Sequence, residues 1–126
     1  MPNTFTWKTK FKSIIIVDGE LFQNEYKVNL HITPYTADLK EQTRYFERLK
    51  HLLEQVFANT ITTWREESLY TVLKNSSSNR FIELPKPPYD QIMAAVTFCK
   101  ANSILDGKIL VNKLELSSWQ GDGITY

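Results

Sequence analysis

The sequence predicts an α+β domain, with a mainly antiparallel sheet and two main helices packed on one face. The first observation is a pair of strand-like segments joined by Asp18-Gly19. This dipeptide is a strong hairpin signal, because a type I′ turn needs two positive φ angles. The second is the segment from Leu39 to Phe57, whose apolar residues recur at spacings of three and four. Strand-like and helix-like segments then follow one another with short breaks, as in a helix layer on a sheet.

The alternation of polar and apolar residues predicts the opening hairpin. Residues Phe5–Val17 alternate polar and apolar side chains and end in a continuous apolar run from Ile14, which indicates a strand buried on both faces at its end. The returning strand alternates with period two from Tyr26 to Thr33. Residues 23–25 have low strand propensity, so we expect a bulge or a short loop there.

Two helices are predicted from caps and periodicity. Asp38 and Glu41 have capping-box spacing, so the first helix is expected to start there and to end near Phe57. The second begins near Pro88 and is apolar around nearly its whole girth. Such a helix must be buried on more than one side or covered by a partner.

The region between the helices is less regular. Thr60–Thr63 favours a short strand or loop, and Leu69–Leu73 fits a short helix, with a strand as the alternative. Residues 75–79 have the composition of an exposed loop. A further short strand is expected over Arg80–Leu84, where Pro85 stops it.

The last predicted strand covers Lys108–Trp119, and residues 120–126 are expected to form a flexible tail or an arm that docks elsewhere. No break qualifies as a linker, so residues 1–126 are read as a single domain. The element order suggests a variant of the ferredoxin-like fold. It departs from that fold at the start, where a hairpin replaces a strand-helix-strand unit.

Composition excludes several function classes. Lys and Arg number 15 against 14 Asp and Glu, a net charge of +1, so no strong overall field attracts nucleic acid. Cys99 is the only cysteine, which excludes an internal disulfide and favours an intracellular protein. With no apolar run of about 20 residues, we expect a cytoplasmic protein without membrane association.

Catalytic and cofactor motifs are sparse. His31 and Thr33 lie on one face of a predicted strand, a spacing that resembles half of the signature of the two-histidine phosphoesterases. The other half is missing, because His51 lies on the polar side of a helix. Cys99 has apolar neighbours and is read as a small buried hydrophobe. The histidine, cysteine and glycine spacings predict no metal site, no phosphate-binding loop and no cofactor.

A basic strand gives the candidate nucleic-acid contact. Its lysines project from one face, while Trp7 and Phe11 project from the other, which separates phosphate contact from base stacking. Binding is therefore expected to be weak at physiological salt. The candidate contact residues are Lys8, Lys10, Lys12 and Lys27.

The sequence thus favours a non-enzymatic protein-interaction module of the accessory, inhibitor or immunity type, expected to self-associate as a homo-oligomer or to bind a protein partner. Weak binding of single-stranded nucleic acid is the first alternative. A small phosphoesterase-like enzyme centred on His31 is the second. The apolar second helix supplies the candidate interface, Tyr89, Ile92, Met93 and Val96.

Overall fold

The computed structural model describes residues 3–76 and 80–126, and its centre is a mixed six-stranded sheet. The strands are β1 (Phe5–Val17), β2 (Glu20–Pro34), β3 (Thr60–Trp64), β4 (Phe81–Leu84), β5 (Ile109–Ser118) and β6 (Ile124–Thr125). The helices are α1 (Leu39–His51), which continues as a π-helical turn over Leu52–Val56, α2 (Tyr70–Ser76) and α3 (Asp90–Ser103). The strand order is β4-β3-β1-β2-β5-β6.

The opening hairpin forms as predicted. β1 pairs antiparallel with β2 along its whole length, from Phe5↔Ile32 to Val17↔Glu20. Asp18 and Gly19 have φ angles of 51° and 79°, the two positive values that a type I′ turn requires. The turn signal in the sequence is confirmed.

The bulge expected at residues 23–25 is wrong, because β1 and β2 pair without interruption there. The buried Asn24 side chain instead accepts a hydrogen bond from the Gln120 backbone N–H (3.1 Å), so this polar position docks the C-terminal segment. The bulge lies between β2 and β5, where the register shifts after His31 and Asn112 is the extra residue.

The sheet is mixed, and most of its pairing is antiparallel, as predicted. β1, β2, β5 and β6 pair antiparallel, whereas β3 pairs parallel to both β1 and β4. The parallel pairs need crossover connections: the chain passes through β2 and α1 between β1 and β3, and α2 connects β3 to β4. This order differs from the ferredoxin-like arrangement that the sequence suggested.

The main core lies between α1, α3 and one face of the sheet. Leu49 in α1 and Leu53 in the π-helical turn are fully buried. Asp38 accepts hydrogen bonds from the backbone N–H groups of Lys40 and Glu41, which confirms the predicted cap. Leu39, the first residue of the predicted helical pattern, is 73% exposed, because the first turn of α1 lies beside an open groove at the end of the sheet.

α3 is covered mainly by its own chain. Met93, Ala94, Thr97 and Ala101 are buried against the core. Phe98 packs against the ring of Tyr126, with ring centroids 5.1 Å apart. Cys99 is exposed, so the expectation of a buried thiol is wrong; its side of the helix points away from the sheet.

The C-terminal segment is paired with the sheet. Leu114 and Tyr126 exchange two backbone hydrogen bonds (3.0 and 2.6 Å), and β6 pairs antiparallel with β5. Among the predicted alternatives for residues 120–126, the structure therefore favours a docked arm over a flexible tail.

The other face of the sheet carries a small second cluster, in which Ile16, Ile61 and Tyr70 are buried outside the main core. Tyr70 begins α2 and packs against Phe81, with ring centroids 5.4 Å apart. The segment Leu69–Leu73 is therefore mainly helical, not a strand. The loop predicted at 75–79 begins inside α2, and residues 77–79 lie outside the described residues.

None of the helices in the described part of the chain is long and apolar enough to cross a membrane.

Candidate functional site

The outer edge of β5 is closed by its own chain. The Asn102 side chain, at the end of α3, donates from Nδ2 to the Val111 carbonyl (3.0 Å) and accepts at Oδ1 from the Val111 N–H (2.9 Å). Leu114 and Leu116 farther along pair with the C-terminal arm. The amide side chain and the arm together occupy backbone groups that an edge strand would otherwise offer to another chain.

A buried aspartate holds the arm in place. Asp90 is 7% exposed and accepts hydrogen bonds from Ser118 Oγ (2.6 Å) and from the Gly123 N–H (2.9 Å). Gly121 is packed so closely that an added Cβ would lie 2.3 Å from the Asp90 carboxyl group. Burial in the same region raises the pKa of the Tyr26 phenol well above its ordinary value. Sequence reasoning missed this cluster, although the two glycines of residues 121–123 were a signal of close backbone approach.

The opposite edge of the sheet, β4, remains open within the described part of the chain. All of β4 lines a groove of about 730 Å³, which extends from Val56 and Phe57 to Pro85. Arg80 O accepts a hydrogen bond from the Ile61 N–H (2.9 Å), so by alternation the backbone groups of Phe81 and Glu83 point away from β3. We call this the β4 edge.

The groove along the β4 edge carries both signs of charge. The cations are Arg65, Arg80 and Lys100, and the anion is Glu83. The Arg80 guanidinium donates to Gln55 O (2.7 Å), which fixes it beside the strand. Glu83 accepts a hydrogen bond from Tyr70 Oη (3.1 Å). Sequence analysis predicted the strand but not its position at an edge, because sheet order depends on long-range pairing.

The face of the sheet opposite α1 and α3 gathers the predicted lysines. Cross-strand register aligns three rows on this face: Lys8 with Asn29 and Glu115, Lys10 with Lys27 and Ser117, and Lys12 with Glu25. Lys113 joins the face beside His31. We call the exposed residues Lys8, Lys10, Lys12, Lys27 and Lys113 the lysine face.

An aromatic side chain adjoins the lysine face, but it is not one that the sequence indicated. Trp7 packs against Phe46 and Phe11 is 4% exposed, so both lie on the core side as expected. Trp119 directly follows β5 and is 56% exposed, with the Lys12 Nζ 5.8 Å from its ring centroid. Because Trp119 lies 107 positions after Lys12, only the β1-β2-β5 pairing could reveal this neighbourhood.

The structure places His31 and Thr33 in separate hydrogen-bonding environments. His31 Nε2 contacts Glu115 Oε1 at 2.9 Å, and this hydrogen bond lowers the pKa of the Glu115 carboxyl group. Thr33 is buried and its hydroxyl contacts Thr4 Oγ1 (2.7 Å) and Asn112 Nδ2. Neither contact supplies the facing second histidine that the phosphoesterase hypothesis needs.

The candidate interface on α3 is only partly at the surface. Tyr89 is 61% exposed, whereas Met93 is fully buried in the core, and Ile92 and Val96 are half-buried. The apolar girth that motivated this interface is largely covered by the sheet and the C-terminal arm. Residues 3–76 and 80–126 contain no group of three or more histidine, cysteine, aspartate or glutamate residues placed to hold a metal ion.

No family model matches the sequence, and no curated protein is significantly similar to it. Solved structures resemble the fold, and they place it in the class of the T-fold, an α+β sheet with helices on one face. An uncharacterized protein from Wolinella succinogenes, WS1659, has a TM-score of 0.66 and 11% identity over 100% of this chain and 98% of its own.

Two further structures are 6-pyruvoyltetrahydropterin synthases. The Plasmodium vivax enzyme, altered at a catalytic residue, has a TM-score of 0.59 and 8% identity over 100% of this chain and 97% of its own. The Plasmodium falciparum enzyme has a TM-score of 0.56 and 9% identity over 99% and 96%. At such identities the likeness is one of fold alone, so function must be argued from this chain's own residues.

Proposed function

We propose that this chain is a non-enzymatic protein-interaction module that self-associates through the β4 edge. The observation that carries the proposal is the contrast between the two edges of the sheet. Asn102 and the arm occupy backbone groups of β5, whereas β4 lines an open groove along its whole length. An open edge strand is a template for pairing with another chain.

A second copy of the chain fits this edge by symmetry. In an antiparallel pair centred on Ile82, Phe81 of each copy lies opposite Glu83 of the other. Both residues have outward-pointing backbone groups, so the two cross-strand pairs can each exchange two hydrogen bonds. The contact is isologous and closes after two copies, which limits further growth.

Side chains around the edge support the same arrangement. Glu83 is the only carboxylate that lines the described groove, and Arg65, Arg80 and Lys100 line it as well, so each copy presents charges of both signs at this edge. Val56 is 36% exposed and extends the apolar contact beyond the short strand. Four backbone hydrogen bonds alone contribute roughly 2 to 6 kcal/mol, so the dimer depends on these side chains and is expected to be weak.

The test is sedimentation velocity of the wild type and of Glu83→Pro. Proline removes the outward-pointing N–H at residue 83 but none of the bonds from β4 to β3. We expect the wild type to pass from monomer to dimer between about 5 and about 200 µM, and Glu83→Pro to remain monomeric over that range.

Glu83→Gln is the matched control, because it keeps the backbone N–H and an acceptor for Tyr70 while removing the charge. It should dimerise, more weakly if the charge pairing contributes. Circular dichroism and thermal melts establish that Glu83→Pro is folded. A wild type that stays monomeric at the highest concentration contradicts the proposal, and so does a folded Glu83→Pro that dimerises normally.

A further inference from the structure

We propose that the lysine face, together with Trp119, binds single-stranded nucleic acid. This surface lies on the opposite side of the sheet from the core and does not include the β4 edge. The inference is therefore independent of self-association.

Five lysines are concentrated on this face and outnumber its two acids, Glu25 and Glu115. Lys10 and Lys27 are direct cross-strand neighbours, an arrangement that is unfavourable for like charges unless an anion is present. No carboxylate in the described part of the chain forms an ion pair with any lysine of the face. Of the two acids on the face, Glu25 is 8% exposed and Glu115 is paired with His31.

The dimensions suit a phosphate backbone. Lys8 and Lys12 are four residues apart on β1, or about 13 Å at the strand rise, and the face spans β1, β2 and β5, or about 10 Å. These distances are close to the Debye length of about 8 Å at physiological salt, so neighbouring ammonium groups act together on a bound polyanion. A net charge of +1 does not prevent such a local field.

Trp119 adds an exposed aromatic ring to the lysine face. Its exposed ring lies beside Lys12 at the rim of a pocket of about 310 Å³, which Gln23 and Asn59 also line. A flat ring next to an ammonium group can stack a base while the lysine contacts its phosphate. The two amide side chains offer donors and acceptors for base edges. Duplex DNA buries its bases in a stack and cannot use this pocket, so a single strand is the occupant that fits.

The weak binding predicted from sequence rested on the separation of Trp7 and Phe11 from the lysines. Trp119 changes that argument, because it brings an aromatic ring to the lysine side of the sheet. Contacts from the five lysines of the face would give a log-log salt slope of roughly −3.5 for a single strand. Stacking on Trp119 would strengthen binding by roughly fivefold to a hundredfold.

The experiment measures fluorescence anisotropy of labelled oligo-dT and oligo-U at several salt concentrations. The test variants are Lys10→Ala/Lys27→Ala and Trp119→Ala, with Trp119→Phe to keep a ring. The matched control is Lys40→Ala/Lys50→Ala, which removes the same charge from exposed positions on α1. We expect binding at low salt with the stated slope, a loss of tenfold or more in the first pair, and less than twofold in the control.

Replacing Trp119 by alanine should cost at least fivefold, and phenylalanine should restore part of the loss. Absence of binding at low salt overturns the inference, as does an equal loss in the two lysine pairs. Poly-glutamate and vesicles containing anionic lipid serve as competing polyanions. If they bind as tightly as the oligonucleotides and Trp119→Ala has no effect, the face is a general anionic docking surface and the nucleic-acid assignment is wrong.

Discussion

Replacing Asn102 by alanine should both destabilise the chain and open a second sheet edge. The side chain makes two hydrogen bonds, both to the backbone of Val111, a residue with 0% exposure. Alanine leaves a buried N–H and a buried carbonyl without these partners, at a cost of about 1 to 3 kcal/mol for each group. The two groups together would cost about 2 to 6 kcal/mol. The smaller side chain admits some water, which reduces this cost, so we expect a loss of ~2 to 4 kcal/mol in the free energy of unfolding.

Urea denaturation followed by tryptophan fluorescence measures this loss. Ser103→Ala is the neighbouring control, since the exposed Ser103 hydroxyl bonds only to Lys100 O (2.7 Å), and its effect should stay below about 0.5 kcal/mol. A folded Asn102→Ala protein should also form species larger than a dimer, because the freed β5 edge is not equivalent to the β4 edge and pairing no longer closes after two copies. An Asn102→Ala protein within 0.5 kcal/mol of wild type, with an unchanged oligomeric state, would refute the role assigned to this side chain.

Three further predictions concern buried and paired groups. Tyr26 Oη forms no hydrogen bond of ordinary geometry among the described residues, although the Asn24 side chain partly offsets the rise in the Tyr26 pKa that burial causes. Tyr26→Phe should therefore raise the free energy of unfolding by about 1 kcal/mol in urea titrations, and a decrease would show that the hydroxyl is bonded. The hydrogen bond with His31 lowers the pKa of the Glu115 carboxyl group, so this contact stabilises the fold above the ordinary carboxyl pKa, and the stabilisation is lost as the pH falls. In His31→Ala, NMR titration should show the Glu115 pKa rising toward its ordinary value. An unchanged Glu115 pKa would contradict the contact. Leu39→Ala should cost less than about 0.5 kcal/mol because the side chain is exposed, whereas Leu49→Ala should cost about 2 to 5 kcal/mol, and similar losses in thermal or urea melts would contradict the burial assigned to α1.

Local signals predicted most of the elements. The turn at Asp18-Gly19, the cap at Asp38 and the strand over Phe5–Val17 depend on neighbours in sequence, and the structure contains all three. Low strand propensity at residues 23–25 was misleading, because the hydrogen bond from Gln120 to Asn24 depends on a segment 96 residues away. The strand propensity of a residue does not reveal a hydrogen-bond partner so far away in the sequence.

Sheet order and candidate sites depended on long-range pairing. The lysines were predicted on one face, but their neighbour Trp119 becomes visible only when β5 is placed beside β2. The apolar girth of α3 suggested an external partner, whereas Tyr126 of the same chain packs against Phe98. A sequence pattern shows that a surface needs cover but does not show which segment supplies it.

Amide hydrogen exchange at residues Phe81 and Glu83, measured as a function of protein concentration, tests self-association through the β4 edge most directly. Both N–H groups point away from β3, so they should exchange rapidly in the dilute monomer and become protected as the concentration rises. The Ile61 N–H, which bonds to Arg80 O within the chain (2.9 Å), is the internal reference and should show no comparable dependence. Protection at residues 81 and 83 that increases with concentration, and that Glu83→Pro abolishes at residue 81, is the predicted result. Exchange at these amides that is independent of concentration, in a sample shown to dimerise, would place the interface elsewhere and contradict the account.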